Sequence, residues 1–316
     1  MAGGQERILR RRIKSIEATK KITRAMELIA ASRIVKAQAR VAAAKPYSEK
    51  VTSVISHLAA GGAGLDHPLL RRPEEVSTVA YVVVAADRGL CGGYNTNVLR
   101  SVERAIAADR QAGRDYRLLL SGKKARSYFA FRDFDIHADF QGYSDQPAYE
   151  DARRLARVAT DLYEKGEVQE VRLAYTRFIS MGVQEVEVAQ FMPLETPETA
   201  HEEGEVPALY EFEPNPTVIL EHLLPRYADA RLFAAMLEAS ASEHAARQRA
   251  MKAATDNAEE LKTTLSRIMN RARQDAITTE IMEIVGGSEA LSHDQHDLVS
   301  DDLLADTIEG HLVELF

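Results

Sequence analysis

The sequence predicts an α/β protein: a long antiparallel coiled coil of the N- and C-terminal helices, plus a small α/β domain with a mostly parallel sheet between them. Three observations carry this. Residues 217–285 contain no glycine and one proline, Pro225, and are dominated by Ala, Leu, Met, Glu, Lys, Arg and Gln, the strongest helix formers. At about 1.5 Å per residue the stretch is on the order of 100 Å long, several times a globular helix of roughly 11 to 12 residues, so it needs a partner. Residues 5–60 show the same four-and-three spacing of apolar positions. The chain between them alternates β-rich runs with helical ones, the pattern of a parallel sheet with crossover helices.

Composition bounds the function. With 316 residues and 45% apolar content, one or two soluble globular domains are expected. No run of eighteen apolar residues exists, and the basic amino terminus leads into an amphipathic pattern, so neither a spanning helix nor a secretory signal is read. Cys91 is the single cysteine, which excludes an internal disulfide and fits a reducing, cytoplasmic compartment. The formal charge of -8 is unevenly placed, and its placement matters more than its sum.

The first helix, residues 5–60, has Leu9, Ile13, Ile16, Thr23, Ala30, Ile34, Ala37, Val41 and Ala44 on its seam. Arg and Lys residues crowd its other faces between positions 7 and 50. Pro46 is expected to bend it, and Gly61, Gly62 and Gly64 before Asp66-His67-Pro68 to end it. Strands are expected at 79–86, 116–120, 136–140, 170–179 and 184–191 from their Val, Tyr, Phe and Leu content, with helices at 97–112, 123–131 and 149–165. This is a Rossmann-like order. The last two strands, joined through Ser180-Met181-Gly182, should form an antiparallel hairpin. Residues 194–216 hold four prolines and seven glutamates with no Lys or Arg, an acidic connector.

In the last helix the apolar seam reads Leu223, Tyr227, Ala230, Ala234, Leu237, Ala241, His244, Met251, Ala254, Ala258, Leu261, Leu265, Ile268 and Ala272. Two three-residue steps meet at Met251 and Ala254, an interruption that overwinds a left-handed supercoil, and His244 and Gln248 weaken the seam before it. An irregular shaft is expected. Leu232, Met236, Ile277, Ile281 and Ile284 lie off the seam and imply more than one neighbour. Gly286-Gly287 should stop the helix, leaving an acidic remainder. The organisation expected is 1–60 first coiled-coil helix, 61–216 central α/β domain with acidic connector, 217–291 second coiled-coil helix and 292–316 acidic tail.

Signals for chemistry are weak. Asp87-Arg88-Gly89-Leu90-Cys91-Gly92-Gly93-Tyr94-Asn95 follows a strand, where a glycine-rich turn can bind phosphate. It has neither the dinucleotide fingerprint nor the P-loop spacing, and Gly122-Lys123-Lys124 lacks the first glycine and the hydroxyl, so a structural turn is the preferred reading. His293 and His296 in HDQHD could hold a divalent metal, but a solvated acidic tail accounts for them better. His244 reads as a packed polar residue. Cys91 has no histidine near it in sequence and reads as a small buried residue. Two functions remain open on these grounds: a coiled-coil nucleic-acid-binding protein using the basic first helix, and a nucleotide-binding enzyme on the central sheet. A basic helix equally suits an acidic protein surface.

The residues also carry a resemblance. MAGGQERILRRRIKSIEATKKITRAMELIAASRIVKAQ is similar to the amino terminus of the gamma subunit of bacterial F-type ATP synthases, and DRGLCGGYNTN, EHAARQRAMKAATDNAEEL and RARQDAITTEIMEIVGG resemble that family's most characteristic segments, in order, over about residues 1–291. The resemblance implies a central-stalk rotor that is not itself catalytic and holds no cofactor or metal. It would transmit torque between a membrane ring of c subunits driven by protons and a ring of three alpha and three beta subunits. It implies contacts with alpha and beta at Met26, Arg247, Arg273, Gln274 and Thr278, including the acidic lever loop of beta, and Arg33 and Lys36 join them as candidates by charge and location. On the epsilon and ring side it implies Tyr210, Glu211 and Glu213. Nucleic acid is not a partner on this reading. Membrane association runs only through the complex, at the cytoplasmic face of the bacterial plasma membrane. Two departures stand out: Ser288 where the family usually has alanine, and a chain that continues to Phe316 where the family usually ends near Leu291.

Overall fold

The computed structural model describes residues 2–60, 67–194 and 215–312, which fall into two compact units, residues 23–253 and residues 1–22 with 254–316. The larger unit is organised on β1 (Thr78–Val84), whose residues 79–83 are fully buried. β1 lies in the middle of a five-stranded sheet of order β3-β2-β1-β4-β5, with β2 at Asp115–Ser121, β3 at Ile136–Phe140, β4 at Glu170–Phe178 and β5 at Gln184–Met192. It pairs in parallel with β2 and β4, β2 pairs in parallel with β3, and β5 folds back antiparallel on β4. A strand covered on both faces reads as a continuous apolar run, which is why VAYVVVA is legible.

Alternation along β1 divides the core in two. Val79, Tyr81 and Val83 face α2 (Tyr94–Gln111) and α3 (Lys123–Phe131), meeting Val98, Val102, Ile106 and Phe129. Ala80, Val82 and Val84 face α4 (Tyr149–Glu164), and the same cluster takes in Val51, Ile55 and Leu58 of α1 (Ala2–Ala60) and Leu224, Leu232 and Met236 of α5 (Pro216–Leu312). Leu232 and Met236, off the seam in sequence, are thus the residues that seat α5 on the domain.

The long helices bury a regular stripe. On α1 buried or half-buried positions recur at Leu9, Ile13, Ile16, Lys20, Thr23, Glu27, Ala30, Ile34, Ala37, Val41, Ala44, Ser48, Val51, Ile55 and Leu58, in unbroken four-three steps. On α5 the steps run through Leu237, Ala241, His244, Gln248, Met251, Thr255, Ala258, Lys262, Leu265, Met269 and Ala272. The interruption expected at Met251 and Ala254 is therefore absent. Thr255 takes the place assigned to Ala254, and Leu261 and Ile268, expected on the seam, are 55% and 45% exposed. Selecting apolar letters shifted the phase by one residue; Lys262 can occupy a seam because its stem is apolar while its ammonium reaches Glu17 at 3.0 Å.

Within the smaller unit, Lys20 also pairs with Glu259, so partners fall by three on α5 as they rise by three on α1, and the helices run antiparallel. Gly286 and Gly287 do not stop α5, which continues to Leu312. A helical glycine costs only about 1 kcal/mol relative to alanine, too little to end a helix flanked by good formers with no proline. α1 likewise runs through Pro46, and α5 through Pro225. Gly61, Gly62, Gly64 and the acidic connector at 195–214 lie outside the described residues.

Gly122, between β2 and α3, has φ +100, and a Cβ there would stand 2.2 Å from the Ala85 carbonyl oxygen. Gly113 has φ +77 but open space around it. Gly122→Ala is expected to lower stability by more than about 2 kcal/mol and Gly113→Ala by about 1 kcal/mol, measured by denaturant unfolding. Equal losses would show that crowding at Ala85 is unimportant.

Candidate partner-contact site

A cavity of about 320 Å³ opens in the larger unit between α1, α5 and two loops, lined by Met26, Ile29, Ala30 and Arg33 of α1, Arg88, Gly89 and Leu90 after β1, Asp145 after β3, and His244 and Arg247 of α5. Helical periodicity brings the α1 residues to one face, since positions three, four and seven apart stand above one another. The two loops reach it because both leave the carboxyl ends of parallel strands, β1 and β3, which flank β2.

Asp145 is the hub. Its Oδ2 accepts from Arg33 Nη1 at 2.6 Å and lies 3.7 Å from Arg88 Nη1, while its backbone oxygen accepts from Ser240 Oγ at 3.0 Å and faces His244 Nε2 at 3.3 Å. Burial would raise the Asp145 carboxyl, but Arg33, with Arg88 and His244 behind it, outweighs that and holds it below the ordinary value. Its Oδ1 is buried without a hydrogen-bond partner. Arg247 Nη2 donates to Glu243 Oε1 at 2.7 Å and to the Gly89 oxygen at 3.3 Å, and so braces the turn that presents Arg88 and Leu90. Burial raises the Glu243 carboxyl against the pull of Arg247.

The lining is cationic with an apolar rim. Arg33, Arg88 and Arg247 face a single lining carboxylate, and Ile29 and Leu90 are 54% and 63% exposed. Leu90 is held at φ 62, a left-handed conformation costing roughly 1–2 kcal/mol for a residue with a Cβ, and such strain persists where the surroundings enforce it. Chemically, this surface can receive an acidic segment with apolar flanks.

The structure thus brings Met26, Arg33 and Arg247 together. Lys36 is exposed and lines an adjoining cavity with Arg33, Arg40 and Asp145. Arg273, Gln274 and Thr278 belong to the smaller unit, all exposed, with Thr278 Oγ1 donating to the Gln274 oxygen at 3.0 Å. Around them Ile277, Ile281, Met282 and Ile284 are 48 to 70% exposed. Tyr210, Glu211 and Glu213 lie outside the described residues, as do the side chains of His293 and His296. Sequence reasoning missed Asp145, Arg88 and Leu90 as site residues. Leu90 and Arg88 lay in a turn already singled out, but nothing local links Asp145 to Arg33, 112 residues away. Cys91 is buried and its thiol is pushed up by desolvation, which fits an inert packing residue. Among the described residues no group of three or more His, Cys, Asp or Glu could hold a metal ion.

A family model described as ATP synthase matches residues 5–291. The chain is 48% identical over 295 residues to the ATP synthase gamma chain of Kineococcus radiotolerans, covering 92% of this chain and 97% of that one. It is 47% identical to the gamma chain of Frankia casuarinae over 295 residues, covering 92% and 98%. Among solved structures, a chain of the Euglena gracilis mitochondrial ATP synthase, described as OSCP/F1/c-ring, superposes with a TM-score of 0.63 at 18% identity, covering 92% of this chain and 95% of that chain, a likeness of fold.

His244 is buried, and desolvation lowers its pKa from the ordinary 6.5 although Asp145 opposes the shift. With the folded value depressed, the unfolded chain takes up protons first, so stability is lost as pH falls through 6.5. His244→Gln keeps a donor for the Asp145 oxygen and removes this titration. Between about pH 7.5 and about pH 5.5 the wild type should lose stability relative to the variant in urea unfolding, and parallel pH profiles would refute the assignment.

Proposed function

The chain belongs to the gamma-chain family of ATP synthases, and from that membership we propose how its surfaces carry the work of a central-stalk rotor. The chain is a non-catalytic subunit; its task is to transmit torque between a proton-driven membrane ring and a catalytic alpha/beta hexamer. The observation that carries this reading is the pair of antiparallel helices with unbroken buried stripes and an outer surface of exposed apolar and basic side chains. A continuous seam resists sliding of one helix on the other. One charge crossing 100 mV releases about 2.3 kcal/mol, so the energy of several crossings has to be gathered mechanically for each ATP, and a stiff element suits that.

In this proposal three alpha and three beta subunits surround the paired helices. The acidic lever loop of beta docks on the cavity between Met26, Arg33 and Arg88, with Ile29 and Leu90 receiving its apolar flank and Arg247 bracing the turn from behind. Lys36 extends the cationic surface, and Arg273, Gln274 and Thr278 form a second contact beside the exposed isoleucines. Residues 1–60 and 217–291 form the shaft, 61–216 its foot, and Tyr210, Glu211 and Glu213 face the epsilon subunit and the c ring. Among the described residues no helix is long and apolar enough to cross a membrane, in keeping with a subunit held at the cytoplasmic face of the bacterial plasma membrane through its complex alone. The family reading calls for no cofactor and no nucleic acid.

Arg273 and Gln274 are exposed, so replacing both by alanine should change the unfolding free energy of the chain by less than ~1 kcal/mol. In the reassembled complex the same double variant is expected to pump severalfold fewer protons per ATP hydrolysed, read from acidification of inverted vesicles against phosphate release. Wild-type pumping would remove these two residues from the contact surface.

A further inference from the structure

The two loops that line the cavity around Asp145 are joined by a carboxylate that does not itself line it. Asp87, the residue before Arg88, is half-buried in the loop after β1. Its Oδ2 accepts from the backbone N–H of Gly142 at 3.0 Å and of Ser144 at 3.1 Å, and its Oδ1 accepts from the N–H of Lys123 at 3.0 Å. Ser144 answers through Oγ, which accepts from the Asp87 N–H at 2.9 Å. One side chain thus ties the loop after β1 to the loop after β3 and to the first turn of α3.

We propose that Asp87 is a positioning residue for the partner contact: by clamping Ser144 to itself it fixes the backbone of Asp145 against that of Arg88, and so sets where the cavity offers Arg88 to an acidic segment. The inference rests on the docking proposed at this cavity and deepens it. The clamp stands one residue from the contact in both loops. Arg88 Nη1 lies 3.7 Å from Asp145 Oδ2 while its side chain is 71% exposed, so its place is set by its backbone more than by burial. The same turn holds Leu90 at φ 62, a conformation that persists only where the surroundings enforce it. Arg247 braces the turn at the Gly89 oxygen, and Asp87 anchors its other end.

The strength of the clamp comes from charge. Backbone N–H groups that donate to a carboxylate make bonds roughly twice as strong as neutral ones, and several such groups converging on one point are how a backbone holds an anion. Here the chain supplies the anion itself, at the Gly122-Lys123-Lys124 segment whose cap makes no side-chain hydrogen bond. Other bonds hold α3 without Asp87: Gly122 N–H donates to the Phe140 oxygen at 2.8 Å and Lys124 N–H to the Ala86 oxygen at 3.0 Å. These persist when the Asp87 side chain is changed, which confines the effect of a substitution to the two loops.

The test has two arms. In the full chain alone, Asp87→Asn replaces one acceptor oxygen by a donor, and hydrogen exchange of the Gly142 and Ser144 amides should quicken by about tenfold, while Arg88→Ala leaves it unchanged. In the reassembled complex the readout is protons pumped per ATP hydrolysed. Arg88→Ala and Asp87→Asn are each expected to lower this ratio by about twofold or more, and the double variant to fall no further than Arg88→Ala, because Asp87 acts through Arg88. Should Asp87→Asn fail to fold, Ser144→Ala, which removes only the answering bond, is expected to show the same dependence on Arg88. Unchanged exchange, or a double variant worse than Arg88→Ala, overturns the clamp and leaves the docking reading in place. A wild-type ratio in Arg88→Ala overturns the docking at Arg88, and the role of Asp87 with it.

Discussion

Two helices that must bury a stripe along their length set the terms for everything else in this chain. A four-three repeat can be satisfied only by a partner with the same repeat, and α1 and α5 supply it to each other from opposite ends of the sequence. The sheet separates the two helices only in sequence; in space it packs against them through Val51, Ile55 and Leu58 on one helix and Leu224, Leu232 and Met236 on the other. Because the same α5 residues are packed by helix and sheet together, the domain is seated on the helix pair rather than tethered to it.

The seam is not made of apolar residues alone. Glu27 is buried on α1 with both carboxylate oxygens 2.9 Å from Arg24, Lys20 and Lys262 reach Glu259 and Glu17 across the smaller unit, and beside the seam Glu243 and Arg247 pair within α5. Burying charge is expensive unless it is paired and hydrogen-bonded, and removing one partner is worse than replacing both. The cavity around Asp145 follows the same logic with an unequal balance, since more cations line it than anions. That imbalance, in company with the outward Leu90, gives the cavity a net positive face toward solvent.

Much of the architecture was legible. The five strands and three short helices emerge within three residues of their expected bounds, because β1 is a continuous apolar run and α4 alternates with helical period. The phase of the α5 stripe was not, since Thr255 and Lys262 hold places where Ala254 and Leu261 look more suitable, and only the partner helix decides between adjacent candidates. The helix through Gly286 and Gly287 was missed because a local breaker signal is weak beside the propensity of its neighbours. Met26 and Arg247 came from resemblance and Arg33 from charge and location, and the structure lines one cavity with all three beside Asp145, whose contacts span a hundred residues and leave no trace in local sequence.

The polar members of the stripe have a bearing on timing. A pair of helices zipped by leucine alone can settle one heptad out of step, a displacement of about 10 Å, with little change in energy. Here such a slip would part Lys20 from Glu259 and Lys262 from Glu17, half-exposed pairs that bias the helices toward one register. The two helices are thereby biased toward one phase, and a machine that must present a given face at a given moment starts each turn from the same mark.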